Sequence, residues 1–274
     1  MQRPPGEREN VKRSLTPGSA DLWLLDLDTV DSALLHSYGT LMSDDEHAQE
    51  RRLRFPGGRE RHRCTRALVR TVLSHYTGHD PRDWTFTTNA SGKPDIAQPD
   101  GVMLRFNLSH SGRLVICAVA HRSEVGVDVE KARELPKAIE LARRFFAPAE
   151  AALIESASPE HRSREFLRFW TFKESYVKAR GVGLLVPLEG FFFTLPADAP
   201  PSIGFADAGS DDPEAWQFAE LRYADSYQMA LALRRGRTEP MNVRVRRTVP
   251  LRCEADPERL PENPLRRWQI AARP

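Results

Sequence analysis

Read as a β-strand, the stretch Val125-Gly126-Val127-Asp128-Val129-Glu130 fixes which of its side chains face inward. Side chains alternate along a strand, so Val125, Val127 and Val129 share one face, and Asp128 and Glu130 point together from the other. Two carboxylates at this spacing stand about 7 Å apart and repel by about 0.6 kcal/mol in water, or about 2 kcal/mol at a partly buried site. Exposed, the pair needs no explanation; converging in a cleft, it needs a cation. Asp26 and Asp28 repeat the pattern in "DLWLLDLD", so the spacing alone does not separate a site from a solvated strand face.

The rest of the chain reads as strands and helices in succession. "DLWLLDLD" opens as a strand, and a charged stretch runs on through Arg54. "RERHRCTRALVRTVLSHYTG" has helical spacing in Cys64, Leu68, Val72 and Tyr76, with Gly78 as its stop. "WTFTT", "MLRFNLSHSG" and "RLVICAVA" read as strands broken at Ser91-Gly92 and Ser111-Gly112. After the valine strand come helical segments near Pro136–Phe146 and Pro148–Glu155, then a longer helix that starts at Ser158-Pro159-Glu160 and stops at Gly181. "GFFFTL", "WQFAELRYA" and "YQMALALR" read as late strands. The expected fold is α+β, with two similar α/β halves in a pseudo-twofold arrangement and the site in the cleft between them. The expected boundaries are a disordered segment at 1–20, an N-terminal half at 21–122, a C-terminal half at 123–235 and an Arg-rich extension at 236–274.

Composition excludes several classes. The 274 residues are 40% hydrophobic, and the longest apolar runs ("GLLVPL", "GFFFTL") fall far short of the roughly 18–20 residues of a membrane helix. "MQRPPGERENVKRSLTPGSA" has no apolar signal segment, and Cys64, Cys117 and Cys253 suggest neither a disulfide framework nor a zinc site. A cytoplasmic monomer without a membrane partner is expected. The net charge of +2 hides an asymmetry: Arg234 to Pro274 holds eleven Arg and five acids, leaving the body with 29 basic and 33 acidic residues. Only the tail resembles a polyanion binder.

The long helix, "RSREFLRFWTFKESYVKARG", places Phe166, Phe169, Trp170, Tyr176 and Val177 broadly on one apolar side. Leu167, Thr171, Glu174 and Lys178 form a neighbouring stripe at three- and four-residue steps. Glu174 and Lys178 would be an ordinary i,i+4 ion pair on a solvated face. Beside so aromatic a surface they instead read as the edge of a cleft. Three carboxylates and a lysine suit a hard cation such as Mg²⁺, which takes oxygen ligands, few of them protein carboxylates, together with phosphate oxygens. Phosphoryl-type displacement depends on such positioning and charge neutralisation.

"VGVDVE" followed by "FWTFKESYVKARGVGL", with "GKP" (Gly92–Pro94) and "FNLSHSG" (Phe106–Gly112) before them, resembles the surfactin-type 4′-phosphopantetheinyl transferases. The likeness runs from about Leu22 to Arg234 and is strongest between Ser91 and Leu184. It implies transfer of the phosphopantetheine arm of coenzyme A to a serine of an apo acyl or peptidyl carrier protein, with release of adenosine 3′,5′-bisphosphate. By the same resemblance Asp128, Glu130 and Glu174 would hold Mg²⁺ against the pyrophosphate, and Lys178 would contact it. Lys93 and His110 would bind phosphate, Arg63 the 3′-phosphate, and Arg51 would be a further basic ligand, while Ala48 stands where a companion lysine can occur. Glu174, Lys178 and His110 are the expected catalytic groups. The segment "KARELPKAIELARRFF" offers basic and apolar residues for docking the carrier. A metal-dependent nuclease, or a nucleic-acid-binding module acting through "RRGRTEPMNVRVRR", is the alternative; nucleic acid is disfavoured by the acidic body.

Overall fold

The computed structural model describes residues 15–16, 18–183, 186–207, 209–224, 226–234, 242–252, 258–259 and 267–270. The first half runs β1 (Ser19–Asp26), α1 (Ser32–Gly39), α2 (Asp44–Arg52), α3 (Pro56–Thr77), β2 (Thr85–Thr88), β3 (Pro94–Gln98), β4 (Leu104–Ser111) and β5 (Leu114–His121). The second runs β6 (Val125–Lys131), α4 (Ala138–Phe145), α5 (Pro148–Ser156), α6 (Pro159–Arg180), β7 (Phe191–Thr194), β8 (Ser202–Phe205), β9 (Trp216–Tyr223) and β10 (Tyr227–Arg234). The order of elements is the same in both: strand, two short helices, a 22-residue helix, a small hairpin and two strands. The strand order matches too, β1-β5-β4 against β6-β10-β9, with the last strand of each half in the middle and antiparallel to both neighbours. The α+β fold is therefore built from two similar halves.

Strand alternation explains the layers. Ala20, Leu22 and Leu24 of β1 and Ile116 and Ala118 of β5 pack against Val125, Val127 and Val129 of β6 and Met229 and Leu231 of β10, so the two sheets meet face to face. Trp23 and Leu25 point the other way, onto Leu68, Val72 and Tyr76 of α3. On the far side Phe169, Phe172 and Tyr176 of α6 cover Phe218, Ala230 and Ala232. Gly78 and Gly181 end the long helices in the left-handed region, at φ 80° and 63°, where glycine carries no Cβ penalty.

Several local expectations change. The charged stretch before Arg54 is two helices, α1 and α2, with Asp31 and Ser43 as their side-chain caps. Ser158 stands at the N-cap position of α6, but its hydroxyl meets His161 Nδ1 instead of a backbone N–H. The Asp26–Asp28 pattern is no carboxylate pair: Asp26 accepts from the Asp28 backbone N–H, and Asp28 from Arg113.

The Arg-rich extension is not a solvated appendage. β11 (Asn242–Arg247) lies parallel to β1, β12 (Glu258–Arg259) pairs with β11, and β13 (Arg267–Ile270) lies parallel to β9. Val243 and Val245 join the core between the sheets, while Arg244 and Arg246 donate to the fully buried Asp21 at 2.6 and 3.1 Å. These arginines turn inward to a carboxylate, which removes them from the polyanion-binding alternative. Within "RRGRTEPMNVRVRR", residues 235–241 lie outside the described residues, as do 1–14 of the segment expected to be disordered; Ser19 and Ala20 of that segment belong to β1. Among the described residues no helix is long and apolar enough to cross a membrane.

Candidate active site

Gly126 sets the site's geometry. A Cβ there would lie 2.0 Å from the Ser175 carbonyl oxygen and 2.3 Å from the Ala179 nitrogen, so only glycine lets the α6 backbone rest directly on β6. Asp128 follows on the same face of the strand, and α6 carries Glu174 and Lys178 over it. Lys178 does not pair with Glu174 one turn away. Its ammonium donates to Asp128 Oδ1 at 2.6 Å and to the Ser109 hydroxyl at 3.0 Å.

β4, the edge strand of the first sheet, runs beside β6 and supplies a polar seam. Asn107 Oδ1 accepts from the Val127 N–H at 2.9 Å, and Ser109 donates to Asp128 at 2.8 Å. Ser111 donates to Glu130 at 3.2 Å and accepts from the Lys131 N–H at 3.0 Å. These three residues were not singled out from the sequence. Their signal was there as a two-residue polar period, Asn107, Ser109, Ser111, alternating with Phe106, Leu108 and His110.

Burial pushes the Asp128 carboxyl above the usual range, against the lowering effect of Lys178 and Ser109. Burial and then the Asp128 charge also raise Glu174, which Lys178 offsets and Glu130 reinforces. Asp128 Oδ2 and Glu174 Oε1 are buried without a hydrogen-bond partner. Such oxygens are costly to keep unpaired, and hard oxygen donors of this kind suit a divalent cation. The three carboxylates are not gathered into one ready group: among the described residues no three His, Cys, Asp or Glu side chains form a metal-binding cluster, and Glu130 Oε2 is drawn to Arg133 at 2.5 Å.

The remaining expected residues have mixed placements. His110, next to Ser109 on β4, presents area to solvent but is crowded by protein; lost hydration, then the charges of Arg61 and Lys178, push its pKa below the usual histidine value. Arg61 of α3, overlooked in the sequence, is thus the cation beside His110. Arg63 is engaged elsewhere, its Nε donating at 2.6 Å to the buried Glu50 of α2. Arg51 is exposed on the last turn of α2. Lys93 acts as a clasp: its ammonium donates to the Ala179 carbonyl at 2.6 Å and the Val125 carbonyl at 3.4 Å, while Asn89 holds the Gly181 carbonyl at 2.8 Å. The β2–β3 turn of the first half so grips the C-terminus of α6, and burial lowers the Lys93 pKa. A cleft of about 230 Å³ opens there, lined by Lys93, Asn107, Leu108, Glu174, Lys178 and Gly181. It takes walls from both halves.

Acids and a lysine thus meet in a cleft walled by both halves. Residues 124–232 match the family model of the 4′-phosphopantetheinyl transferase superfamily, and residues 31–122 that of the N-terminal region of 4′-phosphopantetheinyl transferases. The 4′-phosphopantetheinyl transferase HetI of Nostoc sp. (strain PCC 7120 / SAG 25.82 / UTEX 2576) is 34% identical over 80% of this chain and 90% of its own length. The 4′-phosphopantetheinyl transferase Sfp of Bacillus subtilis (strain 168) is 34% identical over 63% of this chain and 82% of its own. Among solved structures, the holo-[acyl-carrier-protein] synthase of Thermotoga maritima aligns with 42% of this chain and 64% of its own at 20% identity and a TM-score of 0.33, a likeness too slight to bear on the fold. The chain belongs to the 4′-phosphopantetheinyl transferase family, in its surfactin type, and is an enzyme of that class.

Proposed function

We propose that the enzyme moves the 4′-phosphopantetheine arm of coenzyme A onto a serine of an apo acyl or peptidyl carrier protein, releasing adenosine 3′,5′-bisphosphate, with Mg²⁺ as the required cation. The observation that carries this reading is the pair of buried, unpartnered carboxylate oxygens on Asp128 and Glu174 beside the Lys178 ammonium. Asp128 and Glu174 would hold the cation, with Glu130 as third carboxylate, and the bound cation would neutralise the pyrophosphate.

The chain's own groups do the rest. Lys178 reaches into the cleft from α6 and balances negative charge on the pyrophosphate as the leaving group departs. His110 serves as a hydrogen-bond donor to phosphate, and Arg61 adds positive charge beside it. Glu174 is the candidate to take the proton of the attacking serine, a role that competes with holding the cation, since a bound cation weakens a carboxylate as a base. The serine oxygen bonds to the β-phosphorus as the bond from that phosphorus to the bridging oxygen breaks. Arg51 is the proposed outer ligand of the 3′-phosphate. Arg63 and Lys93 can join only by giving up Glu50 and the Ala179 carbonyl.

The carrier would dock by charge on the segment after Glu130. Lys131, Lys137 and Arg144 are exposed there, whereas Leu135 and Leu141 are half-buried against the core and Arg143 pairs with Glu155. The test is incubation of the full chain with coenzyme A, Mg²⁺ and a panel of apo carriers, read by intact mass. Gain of one phosphopantetheine on at least one carrier, lost in Asp128→Asn and Glu174→Gln, supports the reading. Folded wild type that modifies none of them contradicts it.

A further inference from the structure

Of the three carboxylates at the site, Glu130 alone is tied to a cation from outside it. Arg133 Nη1 donates to Glu130 Oε2 at 2.5 Å and also reaches the Lys131 carbonyl at 3.4 Å. The two ends of this contact differ in setting: the Arg133 side chain is 50% exposed and that of Glu130 18%. Arg133 also lines a groove of about 650 Å³ that opens between the start of α6 and the β9–β10 turn, with Arg164, Leu167, Arg222 and Tyr227 on its walls. Glu134 and Glu160 line the same groove. The guanidinium therefore has room to leave Glu130 and carboxylates within that space to turn to.

We propose that Arg133 is a positioning residue, holding Glu130 away from Asp128 and Glu174 in the free protein and releasing it into the cation site by swinging into the groove. This rests on the assignment of Asp128, Glu130 and Glu174 as the cation-holding carboxylates. Charge argues for it. A divalent cation and a guanidinium compete for one carboxylate, and an ion pair whose guanidinium end is half exposed to solvent is weak enough for the competition to be close. The Ser111 hydroxyl, which also holds Glu130 Oε2, stays in contact from the neighbouring strand and limits how far the carboxylate travels. The latch makes the free site two carboxylates strong and the loaded site three.

Mn²⁺ binding to the full chain, followed by electron paramagnetic resonance without coenzyme A or carrier, tests this through a double-mutant cycle. Arg133→Ala is expected to tighten Mn²⁺ about fivefold, and Arg133→Lys, which keeps a cation in place, to restore most of the wild-type value. In a Glu130→Gln background the same Arg133→Ala change should shift affinity by less than about twofold, because no carboxylate remains to be released. An unchanged or weaker affinity in Arg133→Ala overturns the proposal. So does equal tightening in both backgrounds, which would make Arg133 a distant repelling charge and nothing more. Asp128→Asn separates this from failure of the underlying assignment: if that variant binds Mn²⁺ as the wild type does, the cation is not held here, and the site reading falls with the latch.

Discussion

Glu174 carries an acidic oxygen that is buried without a partner and a pKa pushed upward by burial and by Asp128. A group kept in that state opposes folding while it serves binding. Glu174→Gln is expected to stabilise the free protein by about 1 kcal/mol at neutral pH, measured by urea unfolding, while transfer is lost. The pH dependence follows from the direction of the shift. The folded carboxyl binds its proton more tightly than the unfolded one, so the destabilisation sets in as pH rises through the unfolded value near 4.5. Below that pH both states are protonated, and the advantage of Gln should vanish. His110 offers a second check. Its lowered pKa should move up when coenzyme A brings phosphate beside it, as the C2 proton titration in NMR would report; no movement would place the phosphate away from His110. Strand and helix periods made legible that Asp128 and Glu130 share one strand face and Glu174 and Lys178 one helix stripe, but not that the strand and the helix meet. The partner of a long cation is not a matter of period. Lys93 could be exposed or engaged on any local reading, and only the approach of α6 puts the Ala179 carbonyl within its reach.

At the scale of elements, the seat of α6 on β6 decides whether the carboxylates and the lysine meet at all. The atoms a Cβ at Gly126 would strike belong to the helix backbone and cannot rotate aside. Gly126→Ala is expected to cost about 3 kcal/mol or more, seen as a lower urea midpoint, and to misplace Lys178 in whatever fold remains. A loss under about 1 kcal/mol would mean that the helix does not rest on the strand this closely. The two long helices and the apolar strands could be read from the chain. Of the short helices, α4 and α5 could be read as well, but α1 and α2 could not: α2 is "DDEHAQERR", with hardly an apolar residue to show its period, and its buried Glu46 and Glu50 face Arg70 and Arg63 of α3 instead of a hydrophobic core. Strands β3 and β8 are similarly short and pair only with β2 and β7. Lys173, beside Glu174 in the same motif, points away from the cleft and is fully buried against Glu150. Neighbours in sequence on a helix need not share a task.

Across the whole molecule, the site depends on two halves of equal topology meeting at β4 and β6, and the C-terminal strands reach both sheets, β11 beside β1 and β13 beside β9. Counting eleven arginines from Arg234 onward makes the tail resemble a polyanion binder. The alternation in Val243, Arg244, Val245 and Arg246 was the better guide, since it is a strand pattern whose charged face finds Asp21. Asp21 also accepts from the Tyr76 hydroxyl at 2.5 Å, and Trp23 donates to that hydroxyl, so the network joins three elements. Truncation after Arg234 removes both arginines and leaves a buried carboxylate poorly compensated, a loss of about 3–5 kcal/mol. The shortened chain should melt well below the full one or fail to fold. An unaltered melting temperature would show the extension to be dispensable.

Calorimetric titration of coenzyme A into the full chain, with and without Mg²⁺, tests the central claim most directly. If Asp128, Glu174 and Lys178 form a site in which cation and pyrophosphate are bound together, affinity should rise at least about tenfold with Mg²⁺, and the rise should disappear in Glu174→Gln. Equal affinity with and without the cation, or a Mg²⁺ effect that survives in Glu174→Gln, would contradict the claim.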